Sequence, residues 1–263
     1  MLSKIEKKIF SVFILNLVLV SCGLEQDTDQ KTTVLIRGRN GTGSGVIIHK
    51  DNDIYSVLTA KHVVGIQPGK IDDPYQAITH DQVNHPIKNI RKDPKLDLAI
   101  IEFDSPGKKY PVAKLTKSLF ENKPVHISGW KDCSQKGYEF NTGKILNIVK
   151  SKEEAVTYIK NLNKKVQNQE NNDIENYKED DYQEGYNVKY TNPTIRGMSG
   201  APVFDDKSRV IAIHGKPGLD KENSYDFGSC LPLSENLGNN WGISINKFLS
   251  SSLRQSMKLE VED

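Results

Sequence analysis

Along most of the chain, apolar residues come in short runs bounded by Gly, Pro, Asn or Asp. The clearest runs are Thr33–Arg37, Gly45–His49, Tyr55–Thr59, Leu98–Phe103, Pro124–Ser128, Lys144–Val149 and Val210–Ile213. They are rich in Val and Ile, and they predict strands. Short strands with frequent turns predict an all-β fold, a sandwich or a barrel. No repeat of roughly 20–50 residues points to a propeller or solenoid. Two segments depart from the pattern. Residues 151–185 are dense in Lys, Glu, Asn, Gln and Asp and read as a solvated surface insertion, partly helical or without regular structure. Asn246–Met257 carries Phe248, Leu249 and Leu253 at helical spacing after a strand-like Trp241–Ile245. That spacing predicts a closing C-terminal helix.

The N-terminus has a different pattern. Lys4, Lys7 and Lys8 precede an apolar run from Ile9 to Val20, broken only by Ser11 and Asn16. The run is shorter than the roughly 20 residues that span a bilayer. It fits the apolar region of a secretory signal. It ends in Leu19-Val20-Ser21-Cys22, which resembles the lipobox of bacterial lipoproteins. The resemblance implies removal of residues 1–21, lipid on Cys22, and an exported protein anchored by that lipid at the bacterial cell envelope. An ordinary secretory signal with a chance cysteine is the alternative. Residues 22–30 then read as a tether.

Processing also settles the charge. The signal takes Lys4, Lys7, Lys8 and Glu6 with it and leaves basic and acidic residues equal in number. A chain without net charge has no electrostatic pull toward nucleic acid, and membrane attachment would come from lipid. The chain has 3 cysteines, too few for a disulfide scaffold, and no spacing typical of a metal site. No cofactor is suggested. In an exported protein Cys133 and Cys230 can pair or stay apart; the sequence leaves both open.

Ser199 lies in TIRGMSGAPVF, between two glycines and ahead of an apolar run. Alone, it reads as a turn residue. Acyl transfer at a serine also needs a base, a carboxylate to orient it, and donors for the oxyanion. His62 follows the strand-like run YSVLTA, and Asp97 immediately precedes the apolar run LAIIEF. Each alone reads as a cap or turn residue. The order His62, Asp97, Ser199 is that of the chymotrypsin-like triad. LTAKHVV, DLAII, GMSGAPVF and the glycine-rich GTGSGVII resemble motifs of the chymotrypsin/trypsin-like serine peptidases, bacterial branch, across roughly residues 31–250.

The resemblance implies two antiparallel β-barrels, residues 31–115 and 116–263, with the site between them and a C-terminal helix. It implies His62 as general base and acid, Asp97 as its orienting carboxylate, and Ser199 as nucleophile. The N–H groups of Gly197 and Ser199 would form the oxyanion hole. Met198 stands where zymogen-activated relatives carry an aspartate, so that ion-pair activation is not expected. Protein or peptide substrates follow.

Pro193 occupies the position where trypsin-like enzymes place an aspartate for Lys or Arg. The motifs are most similar to those of glutamyl endopeptidases. There, a hydroxyl residue and a histidine at the places of Thr194 and His214 bind a P1 carboxylate. His214 reads equally as a satisfied strand histidine, and Arg196 as either a nearby positive charge or a solvent-facing one. By the same resemblance Cys133 and Cys230 lie on loops near the S1 rim. His49, His80, His85 and His126 read as structural or surface residues.

Two other readings compete. A nucleophile elbow of the α/β-hydrolase kind needs glycine at Ala201 and the order serine, acid, histidine. A catalytically silent or latent binding lipoprotein on the same fold would normally have lost a triad residue, and none is lost.

Overall fold

The structure, a computed structural model, describes residues 27–38, 41–65, 74–131, 137–167, 177–216, 239–255 and 257–263. The signal expected at 1–21, the lipidation candidate Cys22, and Cys133 and Cys230 lie outside the described residues. No helix among the described residues is long and apolar enough to cross a membrane.

Two barrels dominate. The first is built from β1 (Thr33–Arg37), β2 (Thr42–Asp51), β3 (Ile54–Ala60), β4 (Gln76–Ile78), β5 (Asn84–Lys92) and β6 (Leu98–Asp104). They close in the order β1-β2-β3-β6-β5-β4, with β4 returning to β1. The second is built from β7 (Lys114–Thr116), β8 (Pro124–Lys131), β9 (Gly137–Ile148), β10 (Val188–Tyr190), β11 (Pro202–Phe204), β12 (Arg209–Lys216), β13 (Asn240–Ser244) and β14 (Val261–Glu262). Here β11-β8-β9-β10-β13-β12 forms a ring closed by β11–β12 pairing, and β7 and β14 extend it alongside β12. The fold is thus the all-β, two-barrel, trypsin-like one that the resemblance implies. The expected boundary at 115 falls inside β7, whose Lys114 and Leu115 already pair with the second sheet.

The near-continuous apolar runs have a simple cause. Val46, Ile48, Leu58, Leu98 and Ile100 face a core shared with the second barrel. Their neighbours Ile47, Val57, Ala99 and Ile101 face the interior of the first. Successive strand residues point to opposite faces, so a strand buried on both faces shows no alternation.

Two expectations are corrected and a third is narrowed. Of the two readings of the insertion at 151–185, the structure has the partly helical one. The insertion forms α1 (Lys152–Gln167) and α2 (Glu179–Gln183). Ala155, Tyr158, Ile159 and Leu162 lie along α1 at i, i+3, i+4 and i+7 and pack onto the shared core. Tyr177 stacks on Trp241 with ring centroids 4.0 Å apart. A narrow stripe of this kind is hidden in a composition that is otherwise polar.

Residues 27–30, expected to belong to the tether, are helical, and the helix continues through residue 32. Asp29 is fully buried, its Oδ2 2.6 Å from His126 Nε2, and His126 is buried too.

The C-terminal helix is shorter than Asn246–Met257. α3 (Ile245–Leu249) ends at a run of serines. Ser250 Oγ donates to the Asn246 carbonyl at 3.0 Å, and Ser251 Oγ to that of Phe248 at 2.7 Å. Ser251 Oγ also accepts from Leu253 N–H, capping a separate 3-10 turn, Ser252–Arg254. Hydroxyls bonded to local backbone favour such breaks over continued helix.

Candidate active site

β3 and β6 are antiparallel, with Ala60 opposite Leu98. The residues just past the end of β3 and just before the start of β6 are therefore neighbours. Lys61 N–H donates to the Asp97 carbonyl at 3.1 Å. His62, in the 3-10 turn Lys61–Val63, turns its Nδ1 to Asp97 Oδ2 at 2.6 Å. Its backbone N–H donates to Asp97 Oδ1 at 2.9 Å. The His62 side chain is 45% exposed and that of Asp97 7%, so the imidazole stays open to solvent while the acid is enclosed. Burial pushes the Asp97 carboxyl up, but the His62 hydrogen bond and charge, the Tyr186 hydroxyl and the His62 N–H outweigh it. The net direction is downward, and the carboxylate stays ionised.

Ser199 lies in the loop between β10 and β11, partly exposed. The loop is bent by Gly197 (φ +95°) and Gly200 (φ +85°), in the left-handed region that favours glycine. A Cβ on Gly200 would fall 2.0 Å from the Ser44 carbonyl oxygen and 2.3 Å from Thr59 Oγ1. The loop is thus pressed onto β2 and the end of β3, the strand that leads to His62. Ser44 holds it there: its N–H donates to the Ser199 carbonyl at 2.7 Å and its Oγ to the Gly197 carbonyl at 2.9 Å. Met198 N–H donates to Ile195 O at 3.1 Å and Gly200 N–H to His214 O at 2.8 Å. The N–H groups of Gly197 and Ser199 make no backbone hydrogen bond among the described residues. Two neighbouring N–H groups left without a backbone partner beside the serine are suited to receive an oxyanion. The Ser199 hydroxyl likewise makes no hydrogen bond among the described residues. Met198 is buried in the second barrel's core, among Val125, Ile127, Tyr190 and Ala201.

Pro193 is exposed, and its carbonyl accepts from Asn141 Nδ2 at 2.7 Å. Thr194 is buried and Arg196 exposed. His214 is buried directly under the serine loop, with its N–H donating to the Ala201 carbonyl at 2.8 Å. Its Nδ1 lies 2.5 Å from the Tyr190 hydroxyl. Burial first, then the charge of His62, push its pKa down to about 3 against a backbone hydrogen bond with Trp241. His214 is therefore a neutral hydrogen-bonding group at ordinary pH. Residues 217–238, which follow it in sequence, lie outside the described residues.

The structure thus joins His62 to Asp97 and sets Ser199 and His214 in one loop-and-strand unit beside them. Sequence reasoning missed Tyr186, whose hydroxyl donates to Asp97 Oδ2. It carries no motif, and only chain folding brings it there. Ser44 was in view within GTGSGVII, but its two bonds to the serine loop have no signature in the sequence. Among the described residues no group of three or more His, Cys, Asp or Glu side chains converges as metal ligands.

The family model for a trypsin-like peptidase domain matches residues 43–213, which include His62, Asp97 and Ser199. Among solved structures, the Rv3671c protease of M. tuberculosis in an inactive form superposes with a TM-score of 0.58 at 14% identity, covering 90% of this chain and 95% of that one. Deg5 gives 0.54 at 13% identity, covering 95% and 94%. The HtrA-type protease AlgW with a tripeptide gives 0.56 at 14% identity, covering 86% of this chain and 60% of that one. At such identities these likenesses describe the fold. No curated protein sequence matches the chain.

Proposed function

Starting from a chain that belongs to the trypsin-like peptidase family, we propose that it is a serine endopeptidase acting through His62, Asp97 and Ser199. The observation that carries this is the 2.6 Å bond between His62 Nδ1 and Asp97 Oδ2, set beside a serine loop with two N–H groups left without a backbone partner among the described residues. With Nδ1–H held by the carboxylate, Nε2 is left as the basic nitrogen. Substrate seats the scissile carbonyl against the serine loop, and the Ser199–His62 hydrogen bond forms in that complex; such bonds are commonly long before substrate arrives. Nε2 takes the Ser199 proton as Oγ attacks the carbonyl carbon. The tetrahedral oxyanion accepts from Gly197 and Ser199 N–H. Nε2 then gives the proton to the leaving amine, and water repeats the sequence on the acyl-enzyme.

A preference for Glu or Asp at P1 is part of the proposal. The Thr194 hydroxyl supports it as a hydrogen-bond donor to a carboxylate, and His214 stands at the place of the S1 histidine in the resemblance, its ring held by Tyr190 and the Trp241 backbone. Arg196 is the positively charged residue nearest in sequence to the serine. A peptide library digested with the protein is expected to be cut after Glu and Asp. Dominant cleavage after Lys, Arg or large apolar residues overturns the preference and leaves the triad standing.

Export and anchoring through Cys22 are proposed from the basic start, the apolar run to Val20 and the cysteine that follows. Cells expressing the full chain and fed a labelled fatty acid are expected to transfer the label to the protein, and Cys22→Ser to lose it. Equal labelling of the two removes the lipid anchor.

A further inference from the structure

Asp97 is held by more than His62. Its Oδ2 also accepts from the Tyr186 hydroxyl, and its N–H donates to the Glu184 carbonyl at 2.8 Å. Both partners come from the end of the polar insertion and the residues just after it, not from the strands that bring His62 and Asp97 together. We propose that Tyr186 is a positioning residue for the Asp97–His62 pair, and that the inserted helices hold it in place. This rests on the triad reading above and deepens it.

The hydroxyl meets the requirements of such a role. Tyr186 is buried, and burial together with the Asp97 charge pushes its pKa far upward, so it stays a donor at every working pH. With the His62 N–H on Oδ1 and His62 Nδ1 on Oδ2, it completes a set of 3 donors that fixes the carboxylate plane. β12 leaves room for it. A Cβ on Gly215 would lie 2.4 Å from the Tyr186 hydroxyl oxygen and 2.6 Å from Cε1.

Tyr186 is itself fastened from several directions. Its N–H donates to the Asp181 carbonyl at 2.9 Å, and its carbonyl accepts from Tyr177 Oη at 2.8 Å. Lys216 of β12 bonds Asp181 Oδ1 at 2.6 Å. The next residue, Asn187, joins β13 by donating its N–H to the Gly242 carbonyl at 3.0 Å and accepting Ser244 N–H on Oδ1 at 2.9 Å. A tyrosine with this many fixed neighbours sets the angle of the carboxylate, and the carboxylate sets the angle of the imidazole.

A pH effect separates positioning from mere support. The hydroxyl dipole draws negative charge on Asp97 toward itself and weakens the carboxylate's hold on the imidazolium. Removing it strengthens that hold. The charged and titratable groups nearby are Asp181 and Glu184 toward Tyr186 and the neutral His214 toward His62. Lys61 adjoins His62 in the chain. None of them is changed by Tyr186→Phe, which keeps the ring and deletes only the hydroxyl.

In Tyr186→Phe, kcat/KM is expected to fall by about ten- to a hundredfold, the loss that follows one hydrogen bond to a charged group. The loss appears in kcat with KM little changed, and the acid limb of the pH profile moves to higher pH. If Tyr186→Phe does not fold, Gly215→Ala crowds the same hydroxyl from β12 and is expected to move the limb in the same direction. A folded variant with unchanged kcat/KM, or with lower kcat/KM and an unmoved acid limb, overturns the positioning role. If wild type hydrolyses no peptide, or Ser199→Ala is as active as wild type, it is the triad reading that fails.

Discussion

Replacing Ser199 with alanine is expected to abolish peptide hydrolysis, lowering kcat/KM by about 10,000-fold or more, and to leave the fold intact. The two halves of this result have separate causes. The hydroxyl makes no hydrogen bond among the described residues, and the loop is held through backbone atoms that alanine also possesses: the Ser199 carbonyl on Ser44 N–H at 2.7 Å and Gly200 N–H on the His214 carbonyl at 2.8 Å. Deleting Oγ therefore costs about 0.5 kcal/mol or less in stability. What disappears is the atom that attacks the carbonyl. The oxyanion donors of Gly197 and Ser199 remain, so substrate still binds while acylation stops. Hydrolysis of a peptide library and labelling by a fluorophosphonate, each compared with wild type, read this directly. Hydrolysis at the wild-type rate in the alanine variant, or an intact protein that neither hydrolyses peptide nor takes up the label, excludes the proposed chemistry.

Asp97→Asn is expected to lower kcat by about 10,000-fold, the effect of a wrong imidazole tautomer. Asp97 receives 3 donors: His62 N–H, His62 Nδ1–H and the Tyr186 hydroxyl. Asparagine offers one oxygen and one NH2, so the amide must face at least one of these donors with a donor of its own. If NH2 faces Nδ1, the ring carries its proton on Nε2 and has no lone pair for the Ser199 hydroxyl. If NH2 faces the His62 N–H, a backbone donor is left unpaired and the turn Lys61–Val63 loosens. A stability loss of about 1–3 kcal/mol follows in either arrangement, because charge-assisted bonds to a buried carboxylate are lost. The kcat ratio, with thermal unfolding of both proteins, checks it. A variant within about tenfold of wild type would remove Asp97 from the mechanism.

The two variants also separate what the chain spells out from what it does not. His62, Asp97 and Ser199 are legible because each must sit at a fixed place on a strand end or a tight turn. Such places demand particular neighbours: Thr-Ala before the histidine turn, an apolar strand after the acid, glycines around the serine. Tyr186 has no such signature. It reaches Asp97 from 89 residues away in sequence and directly follows a segment whose composition looks solvated. The apolar stripe Ala155, Tyr158, Ile159, Leu162 has helical spacing, yet it is diluted by lysine, glutamate and asparagine, so composition hid what periodicity held. Likewise the polar residues at 27–30 look like free tether, because nothing local announces that Asp29 will be buried against His126.

By itself the sequence determined the strands, the all-β class, the order of the three chemical groups and the glycines of the serine loop, all of them consequences of contacts within a few residues. Only the tertiary structure decided which face of each double-buried strand meets which core, that Ser44 fastens the serine loop, that burial favours the neutral form of His214, and that the Tyr186 hydroxyl bonds the acid. These depend on burial and on bonds between distant segments, and a side chain's burial is a property of the folded chain rather than of its neighbours in sequence.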